Sequence, residues 1–187
     1  VSYDLWEMCE GVHLYSLSGI YSAFDSMLEI YNILGKNVSN FENNRLKDEK
    51  ISKSKVEVEK LRTELKNYIQ EKMYDEEKTC YVRNPEDKKM DISILGSVVP
   101  FKVFTPNEKK IENTIERINM CLRTYTGGYR RYEFDNYNGG NPWSIANAWM
   151  TLYYLEKGEN VKAKETFDFV VKTAGLLVKN NLSLSTI

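Results

Sequence analysis

The chain has 187 residues, the size of one ordinary domain or a large part of a bigger one. Hydrophobic residues make up 42%, enough for a real core, and 26 basic against 27 acidic residues leave a formal net charge of −1. That balance gives no electrostatic reason to expect nucleic acid or an anionic membrane as partner, and no apolar run approaches the length of a membrane span.

Cys9, Cys80 and Cys121 are odd in number and lack CxxC spacing. With His13 as the lone histidine, neither a disulfide framework nor a metal site is expected. Free cysteines lean toward a cytoplasmic setting. The start Val1-Ser2-Tyr3 has no signal-peptide pattern and reads as internal to a longer protein, so localisation stays open. The 13 tyrosines and three tryptophans suit packing first, and stacking against sugar rings second.

Helical periodicity dominates the chain. From His13 to Leu34, the apolar residues Leu14, Leu17, Ile20, Tyr21, Phe24, Met27, Leu28 and Tyr31 recur at three- and four-residue steps, with Gly35 as a stop. Residues 36–50 are polar and read as a loop. Ser54 and Glu57 have capping-box spacing ahead of a helix carrying Val58, Leu61, Leu65, Tyr68 and Ile69 on one face. Cys80-Tyr81-Val82 suits a short strand, and Asp91 to Val99 a short apolar helix ending before Pro100. Thr105-Pro106-Asn107-Glu108 predicts a helix start, with Ile111, Ile115, Ile118 and Leu122 as its buried stripe. Gly127 to Gly140 breaks the pattern. Asn141-Pro142 restarts a helix that runs to Gly158, and a last helix from Val161 buries Ala163, Phe167, Val170, Val171, Ala174, Leu177 and Val178. About six successive helices without a central sheet point to a bundle, a solenoid or an α/α toroid.

Two segments carry chemistry. In Asp4-Leu5-Trp6-Glu7 the acids and the tryptophan sit close together at a predicted loop-to-helix junction. A carboxylic acid beside aromatic neighbours has its charged form disfavoured and can serve as a general acid; acids at a helix start also simply favour the helix. The second segment, Gly128 to Trp143, combines Arg130, Arg131, Asp135, Tyr137, Asn138 and Asn141 in one loop. It supplies the planar polar partners and aromatic faces that sugar hydroxyls need, or else an interhelical loop whose arginine and aspartate pair with each other.

Together these segments resemble glycoside hydrolase family 15, the glucoamylase family. Asp4-Leu5-Trp6-Glu7 with Gly11 looks like its catalytic-acid signature. Arg131-Tyr132, Asp135, Tyr137 and Gly140-Asn141-Pro142-Trp143 look like a second signature in the right order. Asp91-Ile92-Ser93 is similar to a weaker element between them. The resemblance implies an all-α fold, part of an (α/α)6 toroid, with residues 1–187 as a partial catalytic domain. It implies an exo-acting, inverting hydrolase that releases glucose from the non-reducing end of α-glucans or related α-glucosides, with no metal and no cofactor. Glu7 would be the general acid. Asp4, Trp6 and Arg131 would line the sugar site nearest the cleaved bond, and Asp135, Tyr137 and Trp143 would support or extend it.

Inversion needs a second carboxylate about 6.5–9.5 Å away to activate water. The family places it downstream of the last helix here, in a Glu-Gln element that the sequence up to Ile187 lacks, so the remainder of the catalytic domain is an expected partner. Met8 stands where many members carry another acid, a departure at the sugar contact. Two other readings stay open. One is a non-catalytic glucoamylase-like module of the kind found in phosphorylase kinase regulatory subunits. The other is a tetratricopeptide-like interaction protein, mimicked by Trp149, Tyr153, Gly158, Ala163 and Phe167 in a single copy.

Overall fold

The computed structural model describes the backbone of residues 1–38 and 45–184 and the side chains of residues 1–34 and 52–175. It opens with a short antiparallel hairpin, β1 (Ser2–Tyr3) against β2 (Glu10–Gly11), and α1 (Leu14–Val38) follows directly. α2 (Arg45–Lys72) returns alongside α1. Asp25 pairs with Arg62 at 2.5 Å and Lys66 lies over the Tyr21 ring at 5.9 Å, so numbers rise on one helix as they fall on the other. That correspondence makes the pair antiparallel. A second hairpin joins β3 (Tyr74–Asp75) to β4 (Cys80–Tyr81). After a 3-10 segment at Ile92–Ser97 come α3 (Lys109–Leu122), α4 (Ser144–Lys157) and α5 (Asn160–Leu184). None of the described helices is long and apolar enough to cross a membrane.

The 3-10 segment is the centre of the core. All six of its residues are buried, and it touches α1 on one side and α4 on the other. Its start is fixed by Asp91, whose side chain accepts the Ser93 N–H at 2.8 Å as an N-cap. Pro100 lacks the N–H that would carry it further. Behind it, α3 buries Ile111, Ile115, Ile118 and Leu122, the stripe its sequence predicts. α4 and α5 form a tight helical pair. The turn between them is a glycine C-cap: Gly158 has φ of 81°, its N–H bonds Leu155 O at 3.0 Å, and the Glu159 N–H bonds Tyr154 O at 2.8 Å.

Several boundaries differ from the sequence expectation. α1 runs past Gly35 to Val38, and α2 begins at Arg45, so residues 45–50 of the expected loop are helical and Ser54 lies inside the helix. Residues 39–44 lie outside the described residues. Thr105 is not the residue flanking α3; Glu108 is, and its carboxylate folds back to accept the Thr105 N–H at 2.8 Å. α4 is preceded by Trp143 rather than Asn141, because residues 141–143 stay in the preceding loop. The side chains of Leu177 and Val178 lie outside the described residues.

Burial shows a second difference. α1 is apolar on two faces: Leu14, Tyr21 and Leu28 are buried, while Ile20, Met27, Ile30 and Leu34 are exposed. Ile145, Leu152 and Leu155 on α4, and Phe167 and Val171 on α5, are exposed as well. Periodicity marks a residue as apolar on a face without saying whether that face meets a neighbour. Within these residues one face of each helix does so and the other does not.

Candidate active site

Asp4 to Cys9 form the loop of the first hairpin, whose second strand leads into α1. Asp4 organises this loop. Its Oδ1 accepts the N–H of Met8 at 2.8 Å and of Trp6 at 3.2 Å, and its Oδ2 accepts the Cys9 thiol at 3.4 Å. Its backbone closes the loop as well: the Asp4 N–H bonds Cys9 O at 3.0 Å and the Glu7 N–H bonds Asp4 O at 3.1 Å. The Asp4 carboxylate is thereby turned inward and buried. Glu7 sits at the sharpest point of the loop with φ of 56°, a conformation a non-glycine residue adopts only when its surroundings enforce it. The Glu7 side chain is exposed, and its carboxylate has no hydrogen-bond partner among the described residues.

Residues 129–143 are shaped by short extended pairings. Tyr132 bridges Asp91, with the Ile92 N–H on Arg131 O at 2.7 Å and the Glu133 N–H on Met90 O at 2.9 Å. The other end of the loop folds over through the Trp143 N–H to Tyr129 O at 2.9 Å and Arg130 Nε to Gly140 O at 3.0 Å. Gly140 has φ of 71°, and a Cβ there would lie 2.9 Å from Asp135 O, so only glycine closes this turn without strain.

Arg131 is the centre of the loop. Its Nε and Nη2 each donate to Asp135 at 2.9 Å, a bidentate pair. Asp135 is buried and also accepts the Tyr137 N–H at 3.1 Å. Burial on its own would raise the Asp135 pKa; the Arg131 guanidinium and the Tyr137 N–H outweigh it and hold the carboxyl below the usual aspartate range. The same hydrogen bonds raise Arg131. The guanidinium lies against four rings, with centroids at 4.4 Å for Trp143, 5.1 Å for Tyr137, 5.2 Å for Tyr132 and 5.6 Å for Trp6. Tyr137 and Trp143 touch each other at 5.7 Å. Among the described residues nothing pairs with Arg131 Nη1.

The structure therefore gathers Trp6, Arg131, Asp135, Tyr137 and Trp143 into one cluster, with Glu7 adjacent through Trp6. Asp4 lies beneath the Glu7 loop. It also adds residues that sequence reasoning left out of the site. Asp91 is buried and accepts the Trp6 indole N–H at 3.0 Å and 3.1 Å on its two oxygens. Burial raises its pKa, partly offset by the Ser93 and Trp6 donors. Arg83 is buried between Asp87, Asp91 at 3.5 Å and Asp4 at 3.8 Å, and lies over the Tyr132 ring at 5.4 Å. Nothing in the spacing of Arg83 marks it as part of the site. Asp91 does leave a signal, an aspartate two residues before a serine at the head of an apolar run.

The class these features define is a helical scaffold whose loops bring the tryptophan next to an exposed acid against an arginine held among aromatic rings. The family model of glycosyl hydrolases family 15 matches residues 1–181, and the chain belongs to that family. It is similar to an uncharacterized glycosyl hydrolase of Methanocaldococcus jannaschii, 31% identical over 185 residues, covering 91% of this chain and 28% of the relative. Solved structures of a wild-type glycosidase, and of a substituted form of a glycosidase in complex with glucose, each match with a TM-score of 0.69 at 16% identity, over 90% of this chain and 40% of theirs. The fold is thus part of an α/α toroid. The chain spans well under half the length of these relatives. The single helix-Gly-helix unit that mimics an interaction repeat is the α4–α5 pair of this scaffold.

Proposed function

We propose that residues 1–187 are a partial catalytic domain of an exo-acting, inverting glycoside hydrolase that releases glucose from the non-reducing ends of α-glucans or related α-glucosides. Glu7 is the general acid that protonates the glycosidic oxygen. The Arg131 guanidinium, held by Asp135, turns its free Nη1 to sugar hydroxyls, and Trp6, Tyr137 and Trp143 offer ring faces to the sugar. Asp4 supports the site from beneath by shaping the Glu7 loop. The general base comes from the part of the protein outside this chain.

The observation that carries this reading is the Arg131 cluster. A bidentate Asp135 engages Nε and Nη2, four rings surround the guanidinium, and the Nη1 amino group is left over next to the loop that bears Glu7. Such an arrangement suits a neutral, hydroxyl-rich ring with an apolar face. Membership of the family and the glucose bound by one solved neighbour support the same substrate class.

The test follows the anomeric form of the first sugar released when the full-length protein is given a maltooligosaccharide, by NMR at early times. Inversion at an α-linkage gives β-glucose first. Release of α-glucose would replace the inverting mechanism by a retaining one. Binding of the oligosaccharide with no release would favour the non-catalytic module.

A further inference from the structure

Among the described residues Glu7 has no hydrogen-bond or ion-pair partner that would aim it, so its direction is set by the backbone and side chains that hold its loop. Asp4 closes the loop on itself through the Trp6 and Met8 N–H groups. The Asp4–Arg83 ion pair at 3.8 Å and His13 Nε2 on Cys9 O at 3.1 Å hold the two ends of the loop, and the indole of Trp6, the residue directly before Glu7, ties its tip to the rest of the protein. Its N–H reaches both oxygens of Asp91, 85 positions away in sequence. Asp91 is itself immobile: it is 1% exposed, caps the 3-10 segment through the Ser93 N–H at 2.8 Å, and faces Arg83 at 3.5 Å. The segment it caps lies against both α1 and α4. The loop bearing Glu7 and the loop bearing Arg131 are thus referred to one point, since Tyr132 bridges Asp91 on the other side.

We propose that Asp91 is a positioning residue for Glu7: by holding the Trp6 indole N–H it fixes the direction in which the Glu7 carboxyl is presented. This rests on the reading of Glu7 as general acid. Asp91 never meets the sugar. A misplacement of about 1 Å in a reacting group costs on the order of 100-fold in rate. Asp91→Asn keeps size and keeps Oδ1, which accepts both the Ser93 N–H at 2.8 Å and the Trp6 indole N–H at 3.0 Å. It puts an amide N–H where the second oxygen faces the Trp6 and Arg83 donors, and so loosens the indole.

The experiment compares two substrates of the full-length protein, an α-linked glucose disaccharide and α-glucosyl fluoride. A sugar leaving group must be protonated as the bond breaks, whereas fluoride departs without an acid. The expected result for Asp91→Asn is a kcat about 10- to 100-fold lower on the disaccharide, a change below about threefold on the fluoride, and a nearly constant KM. The double variant with Trp6→Phe is expected to be no slower than Trp6→Phe alone, because both act on the same contact, which Asp91→Asn weakens and Trp6→Phe removes. Should Asp91→Asn not fold, Trp6→Phe deletes the bond from its other end; because the Trp6 ring also faces the sugar of both substrates, only the ratio of its two kcat losses is read, and a greater loss on the disaccharide than on the fluoride is expected. Equal losses on both substrates, a loss confined to KM, or additive effects would overturn the inference while leaving the glycosidase reading in place. A wild-type protein that turns over neither substrate removes that reading, and this inference with it.

Discussion

Replacing Glu7 by glutamine in the full-length protein is expected to lower kcat about 100- to 10,000-fold while sugar affinity changes little. That loss corresponds to about 3–5 kcal/mol of transition-state stabilisation. The side chains have the same shape, but the amide has no acidic proton to give. The local structure gives little reason for any other effect. Glu7 is exposed, its carboxylate holds nothing among the described residues, and its φ of 56° is imposed by the Asp4 and Cys9 backbone bonds rather than by its own side chain. An exposed, unpartnered side chain contributes within about 0.5 kcal/mol to stability, so the variant should melt with the wild type. Steady-state kinetics on an α-glucoside, with calorimetric binding of a glucose-type ligand, separate the outcomes. Unchanged turnover would remove Glu7 from the role of acid. A parallel fall in affinity and rate would make it a binding group instead.

How much of this was legible in the sequence depends on whether a residue's role is local. The α3 stripe and the Gly158 stop are local: three- and four-residue spacing and a left-handed glycine decide them, and both are as read. The second-signature loop is nearly local, since Arg131 and Asp135 pair across four residues. The partners of Trp6 are not. Its indole meets Asp91 and Arg131, and no periodicity links positions so far apart. Arg83 is legible only in its pairing with Asp87 four residues on; its contacts to Asp4 and Asp91, which place it at the site, are not local. The hairpin that presents Glu7 reads in the sequence only as a loop ahead of a helix, since two paired residues on each side are too few to show alternation. Phe167 and Val171 of α5 carry the spacing of a buried stripe yet are exposed, because apolar spacing marks a face without saying whether a neighbour covers it.

Arg131 should show the second largest effect, and it separates binding from stability. Arg131→Lys keeps the charge but loses the planar fork, so one ammonium cannot hold both Asp135 oxygens, lie flat among the rings and reach a sugar at once. Losing one charge-assisted hydrogen bond to the substrate costs about 1.5–3 kcal/mol. The expected fall in kcat/KM is therefore about 10- to 100-fold, most of it in KM. Arg131→Ala goes further, leaving the buried Asp135 carboxylate without its partner, a change that costs about 3–5 kcal/mol of stability when a buried pair is broken. The sign of the pH dependence follows from the pKa. In the wild type the Asp135 pKa is depressed, so its contribution is fully present above the ordinary aspartate value of 3.8 and is lost as pH falls through the lower folded value. Without Arg131, burial dominates and the carboxyl is stabilised in its protonated form. The gap in Tm between wild type and Arg131→Ala should therefore be widest near neutral pH, begin to narrow above the ordinary aspartate value of 3.8 as the unpaired carboxyl protonates in the variant, and go on narrowing as pH falls through the depressed wild-type value. Thermal melts across that range read it directly. A gap that is independent of pH would mean that Arg131 supports the fold through its rings, and that the Asp135 pair contributes only to the orientation of the guanidinium.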